Sequence, residues 1–352
     1  MTSNEDIASV VEANFNFGYS VYKKLRKASL EESPNIPENI LFSPLSVKIM
    51  LALAFVGAKG ATAEEMSTVL QLSHDPSQVS NNFLDLISQL KSSNVILTIA
   101  NKIFIDNKVK LSDKFQQTAI KYIDSETEYV DMKKKASLGK INSCVAQKTE
   151  KKIASVLENL DADTEIVLVN TLYFNGKWAK EFEATNPMQF YLTPEESIEV
   201  PAIHCKDYYT YYEDRGVKIL EIPYKGEEYS LVITLPEDTN ELPTLEDIFP
   251  SDYQNKQKSE VEIDVTIPKF KIESFTDFTT LLQEMGMETA FSNEADFTGL
   301  IDPESSIKNI AISKVVQKCC MDVNEEGTEA AVSTAIKFSK LNSPELEPSK
   351  TS

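Results

Sequence analysis

Residues 322–336 read DVNEEGTEAAVSTAI. An acidic turn (Glu325, Glu326) leads into Gly327, and a run of small and β-branched residues follows. Every second residue from Thr328 gives one face: Thr328, Ala330, Val332, Thr334, Ile336. The opposite face reads Glu329, Ala331, Ser333, Ala335, Lys337. A period of two predicts a strand, with one uncharged face and one mostly polar face. The residues before it, Ile310–Val323, read as a buried strand, and only 324–327 separate the two. Two strands joined through a glycine predict a hairpin, or a segment able to occupy two places.

Outward from this stretch, helices gather in the first half of the chain and strands in the second. Residues 7–30 carry an amphipathic helical pattern, with Val11, Phe15, Tyr19, Tyr22 and Leu25 on one face. A short apolar strand is expected at 39–42. Ser43-Pro44 then opens a helix, because Ser caps free N–H groups and Pro suits the first turn. That helix, 45–56, is apolar almost all round and predicts the buried centre of the fold. Thr62 and Glu65 read as a capping box opening the next helix. Further helices are expected at 79–90, 113–122, 134–152, 242–257 and 275–287, with a strand at 95–105 and a short one at 128–130. EIVLVNTLYF at 165–174 is a nearly continuous apolar run, as in a central strand buried on both faces. Short strands with turns fill 182–236, and 261–272 reads as one alternating strand interrupted by Pro268. No βαβ alternation and no internal repeat appear, so the class is α+β.

Composition narrows the function. The 352 residues include 55 Asp and Glu against 35 Lys and Arg, a net charge of −20. This balance argues against nucleic acid and against an anionic membrane, whose phosphates want clustered cations. No apolar run is long enough to span a bilayer, and no signal-peptide pattern opens the chain. Four cysteines, Cys144, Cys205, Cys319 and Cys320, are too few for a disulfide framework and read as free, buried thiols. The two histidines, His74 and His204, stand in no catalytic motif, and no nucleotide-binding glycine pattern occurs. Asp161 and Asp163 lack the glycine and glutamate of a calcium loop and read as a solvated turn. Nothing supports an enzyme, a metal or a cofactor.

Five segments, in order, resemble the serpins: NILFSPLS at 39–46, LVNTLYFNGKW at 168–178, VTIPKFKI at 265–272, the stretch 281–300, and VNEEGTEAA at 323–331. The resemblance covers nearly the whole chain and implies the serpin fold, with three β-sheets, about eight or nine helices and an exposed reactive loop. It implies a monomeric inhibitor of serine proteases. A protease attacks the loop as bait and forms an acyl-enzyme; the freed loop inserts into the main sheet and traps it. One serpin domain, 1–341, would include a reactive loop at 325–341, followed by a polar tail, 342–352.

The resemblance also assigns residues. Glu325, Glu326, Gly327, Thr328, Glu329, Ala330 and Ala331 match the inhibitory hinge. Family spacing from Gly327 puts the reactive bond at Leu341–Asn342, which implies a protease of chymotrypsin or elastase type. Lys340 is the alternative and implies a trypsin type; Phe338 is a third candidate. Ser43, Ser46 and Asn170 match the polar cluster that gates sheet opening, with Gln317 where the family usually has His. Trp178 matches the residue at the top of the sheet. The hinge residues themselves suit insertion. The Thr328 face carries no charge, and no Pro interrupts 327–343, so every ladder N–H is available.

Two departures shape the expectations. After the bait, serpins continue through an edge strand and two buried strands, whereas here a polar stretch with two prolines follows. This composition reads as disordered. The expectation is that a second fragment completes the fold, or that the chain is a truncated or cleaved form, or a non-inhibitory binding or storage protein. Family habit places a mature chain outside the cell, and the missing signal makes the cytoplasm the alternative. The basic run Lys133, Lys134, Lys135 reads as a solvated helix start.

Overall fold

The computed structural model describes residues 4–33, 38–90, 94–123, 126–193, 195–214, 216–237 and 259–340. The expected helix at 242–257, the bond Leu341–Asn342 and the tail lie outside these residues. The described elements in chain order are α1 (Asn4–Glu32), α2 (Pro44–Phe55), α3 (Gly60–Leu70), α4 (Pro76–Gln89), β1 (Ile96–Asp106), α5 (Asp113–Ile123), β2 (Glu126–Val130), α6 (Lys135–Lys148), β3 (Thr164–Lys177), β4 (Glu183–Tyr191), β5 (Ser197–Asp214), β6 (Val217–Pro223), β7 (Ser230–Pro236), β8 (Ser259–Pro268), β9 (Phe270–Asp277), α7 (Thr279–Glu284), β10 (Ile310–Val323) and β11 (Gly327–Lys340).

The main sheet has six strands in the order β2-β1-β3-β11-β10-β9. Only β1 and β2 run parallel; every other neighbouring pair is antiparallel. The expected hairpin is present as β10–β11. The reactive-loop stretch is not exposed, however. It is the fourth strand, central in the sheet, with β3 on one side and β10 on the other. The physical reason lies in its side chains, which are small enough for both faces to be covered. Ile336 and Phe338 join the large core built on α2, while Ala331 and Ala335 pack beneath α6 on the opposite face.

Four other expectations are corrected. Residues 39–42 form no strand. The reading of 261–272 as one strand splits at Pro268: β8 pairs with β5, and β9 forms the edge of the main sheet against β10. That pairing holds Phe275 to Asp277 extended, so the helix expected from 275 begins at Thr279. Thr62 and Glu65 form no capping box. Thr62 Oγ1 accepts from the Asp296 N–H at 3.0 Å, and Glu65 Oε2 accepts from the Thr289 N–H at 2.7 Å. Both anchor the 289–296 segment instead.

In place of three separate sheets, the described residues hold two, because one strand serves twice. β5 is 18 residues long. Its first part pairs with β4, its middle with β8, and its end with β6, which carries β7.

Candidate functional site: the inserted strand and the polar network beneath it

β11 is laddered along its whole length, from Gly327 to Ser339 on β3 and from Thr328 to Lys340 on β10. At its start, a Cβ added to Gly327 would lie 2.0 Å from the Gly176 carbonyl oxygen. Only glycine lets the backbone approach β3 this closely. Thr328 is buried beside it.

The acidic turn before Gly327 is held at the end of the sheet. Trp178 donates from Nε1 to the Asn324 carbonyl at 2.9 Å and from its backbone N–H to the Glu326 carbonyl at 3.0 Å. Its ring stacks on Tyr224 at 4.8 Å between centroids. Lys269 Nζ donates to Glu325 at 2.9 Å, and this bond holds the Glu325 carboxyl below its usual pKa. A polar cavity of about 610 Å³ lies over the turn, lined in part by Asn175, Lys177, Lys269 and Glu326.

The middle of the strand meets a buried network. The Gln317 side chain uses its full hydrogen-bonding capacity. Nε2 donates to the Ser43 carbonyl and to Thr334 Oγ1, both at 3.0 Å. Oε1 accepts from the Ser43 N–H at 2.8 Å and from Cys319 Sγ at 3.3 Å. Ser46 Oγ lies 3.0 Å from Thr334 Oγ1 and donates to Asn170 Oδ1. Asn170 Nδ2 donates to Asn101 Oδ1 at 2.7 Å. One direction gives each hydroxyl a role: Gln317 to Thr334, Thr334 to Ser46, Ser46 to Asn170, Asn170 to Asn101. The chain of bonds runs from β10 through β11 and α2 to β3 and β1.

Ser43, Ser46, Asn170 and Gln317 are therefore brought together, while Trp178 stands apart at the turn. Two further members have little signal in the sequence. Thr334 stands there only as part of an uncharged face. Asn101 carried one signal, a polar residue within an otherwise β-rich run; it lies opposite Asn170 in the β1–β3 register.

The polar face of β11 is not free in solvent. Glu329 is bound by Lys152 at 2.5 Å and by the Tyr173 hydroxyl at 2.7 Å. Burial works to raise its pKa, but these two partners outweigh burial and hold the carboxyl below its usual value. Lys337 is buried under the 159–161 segment and pairs with Asp161 at 2.5 Å. The turn read as merely solvated thus anchors the far end of the strand; the Lys340 N–H also donates to the Asp163 carbonyl at 3.1 Å. Phe338, the third bait candidate, is fully buried against the Phe297 ring. Lys340 is exposed at the strand's last position.

Both histidines are satisfied, His74 by Ser67 at 3.2 Å and His204 by Asp264 at 2.7 Å. The four cysteines are free; three are buried, and Cys144 is half-buried. Burial pushes the Cys319 thiol up to about 12.

A family model described as Serpin (serine protease inhibitor) matches residues 12–350. Human Serpin B8 is 34% identical over 340 residues, covering 92% of this chain and 88% of its own. Among solved structures, "Cleaved Serpin 42Da" superposes with a TM-score of 0.87 at 30% identity, covering 95% of this chain and 91% of that one. Emu ovalbumin superposes with a TM-score of 0.87 at 25% identity, covering 96% and 92%.

Proposed function

This chain belongs to the serpin family, and on that premise we propose that it inhibits a serine protease as a suicide substrate. The protease serine attacks the Leu341 carbonyl, releases the Asn342 amine and leaves an ester. Insertion of β11 then carries the attached protease along the sheet. Lys340 is the alternative bait, which would exchange a chymotrypsin- or elastase-type target for a trypsin type. The single observation behind this reading is the fit of β11, which is laddered on both edges and buries side chains in both layers. Its 14 residues span about 45 Å at the usual strand rise. That travel takes a bait next to Lys340 from one end of the sheet to the other.

Serpins are inhibitors of proteases as a family, not catalysts. One observation favours a second reading, a binding or storage role. Here β11 already fills the sheet while the sequence runs on uninterrupted through 340–341, and a strand already inserted cannot insert again after attack. A neighbour with a TM-score of 0.84 is thyroxine-binding globulin in complex with a thyroxine conjugate, a serpin fold used to hold a small molecule. Four free thiols suit a reducing compartment better than an oxidising one, so we carry forward the cytoplasmic alternative.

Incubation with trypsin, chymotrypsin and elastase, followed by a denaturing gel, separates the two readings. The inhibitor reading expects a complex that survives denaturation with one of them, and mass spectrometry should place the cut at Leu341–Asn342. A cut after Lys340 transfers the specificity to trypsin-like enzymes. Clean cleavage with no complex across all three supports the binding or storage role.

A further inference from the structure

The ladder of β11 is broken near its far end. On the β3 side the register pairs Phe338 with Ile166 and then Ser339 with Thr164, so Glu165 is an extra residue. On the β10 side it pairs Lys337 with Lys314 and then Phe338 with Ile312, so Ser313 is extra. A bulge leaves its ladder locally disrupted. Here both neighbours of β11 bulge around the same two residues, Lys337 and Phe338.

Side chains hold the strand where the ladder does not. From Ala330 to Ala335 they are small or β-branched. Phe338 is the largest side chain of β11, and Lys337 is its one buried charge. The Phe338 ring meets Phe297 edge-on, with 5.2 Å between centroids. Ser313 Oγ, on the bulge itself, donates to the Lys337 carbonyl at 3.2 Å. Opposite Lys337 in the register stands a second cation, Lys314, which Asp277 takes up at 3.3 Å. Lys337 Nζ turns instead to the segment between α6 and β3, where Asp161 pairs with it at 2.5 Å. The Thr164 N–H donates to the Asp161 carbonyl at 3.0 Å, so this acid sits on a tight turn leading into the strand beside β11.

We propose that Lys337 and Phe338, seated on Asp161 and Phe297, are a terminal clasp that keeps a loaded strand fully inserted, and that the lifetime of the trapped ester is set by it. The proposal rests on the suicide-substrate reading, in which the protease hangs on Leu341, one residue beyond Lys340. Any pull from the protease then acts first on this end of the strand. Strand ends open before strand centres, and here the backbone ladder that would resist is already interrupted. If the clasp opens, the strand end backs out and the ester hydrolyses. Water adds to the Leu341 carbonyl, the protease serine leaves as its hydroxyl, and the strand keeps a free carboxylate. Lys337 and Phe338 touch no reacting atom; they are positioning residues.

Asp161→Ala tests the clasp without touching the bait sequence. It strands a buried ammonium, which is costly enough to draw Lys337 out toward water. Protease activity returning from the preformed complex should appear several-fold faster than with wild type. Asp161→Glu keeps the charge and should restore most of the lifetime, and Lys337→Glu with Asp161→Lys should outlast Lys337→Glu alone. Glu128→Ala removes an ion pair with Lys102 elsewhere in the same sheet; it should lower the melting temperature and leave the lifetime unchanged. Equal lifetimes for wild type and Asp161→Ala would overturn the proposal and leave the inhibitor reading standing. Amide hydrogen exchange of the full chain reads the clasp without a protease. Asp161→Ala should speed exchange at 337–340 and leave 329–334 as in wild type; unchanged exchange at 337–340 would also overturn the proposal. Failure of wild type to form a complex with any protease counts against the inhibitor reading alone, since the exchange measurement then decides the clasp.

Discussion

Thr328 and Glu329 are neighbours in sequence with opposite environments. Thr328 is buried at the first position that must enter between β3 and β10. An arginine there would bury an unpaired cation at a cost of several kcal/mol, on the order seen when buried charges lose their partners. Thr328→Arg should therefore delay insertion and let the acyl-enzyme hydrolyse, so the number of inhibitor molecules consumed per protease trapped should rise several-fold. Glu329→Arg is no neutral control, since it would set a cation against Lys152. Glu326→Arg serves instead, because that side chain is exposed. Equal values for Thr328→Arg and Glu326→Arg would mean that the strand does not insert during inhibition. Glu329 makes a second expectation, in pH. Its carboxyl is held below the usual value in the inserted strand. A depressed folded-state pKa gives stability that is present above the unfolded value of about 4.3 and lost as pH falls through the folded value. Melting temperatures taken from neutral to acid pH should drop less steeply for Glu329→Gln than for wild type. Parallel curves would show that the Lys152 and Tyr173 contacts contribute nothing to the inserted state.

At the level of elements, Gln317 is the junction between β10, β11 and the start of α2. Gln317→Ala would strip the Ser43 N–H of its acceptor and Thr334 of a donor. A buried polar group left unpaired costs about 1–3 kcal/mol, and chemical denaturation should show a loss of that size. A change below the error of the measurement would mean that water replaces the side chain. Elements whose own residues dictate their state were legible in sequence. β10 has the bounds read for a buried strand, Ile310–Val323. α2 starts where Ser43 and Pro44 say it should, with Ser43 Oγ accepting from the Ser46 N–H at 3.3 Å. The polar cluster was legible through resemblance, but Asn101 was not, because its partner lies on another strand. The failures share that cause. Phe275, Phe278, Leu281 and Leu282 fit a helical period, yet pairing with β10 claims the first of them. Thr62 and Glu65 have the spacing of a cap and are recruited by 289–296 instead. In sequence Lys337 is only a charge on the mostly polar face of the strand, and the fold brings Asp161 to it. Two places were left open for β11 in sequence because its residues suit both; the choice belongs to β3 and β10.

At the scale of the whole molecule, the described state is one in which the sheet is full. β3 and β10 are each bonded to β11, so no open slot lies between them. A protein inhibiting by insertion must start with that slot open and its strand outside. The two states then differ in one measurable capacity, the uptake of a free strand. A fluorescent peptide with the sequence of residues 327–340 carries the ladder groups, the uncharged face and the partners for Lys152 and Asp161. Chain freshly refolded from denaturant should bind it and lose the ability to trap protease. After gentle warming, chain that has inserted its own strand should refuse the peptide, melt at a higher temperature and be equally unable to trap. Inserted β11 buries both faces along most of its length and pairs with a strand on each edge, so insertion should run one way under native conditions. Peptide uptake, protease trapping and melting temperature should therefore change together as warming proceeds. Peptide binding by the warmed, high-melting form would show that β11 is not what fills the sheet in solution. Refusal by every preparation, together with no trapping, would mean that this chain folds directly to the inserted state and that its role is one other than inhibition.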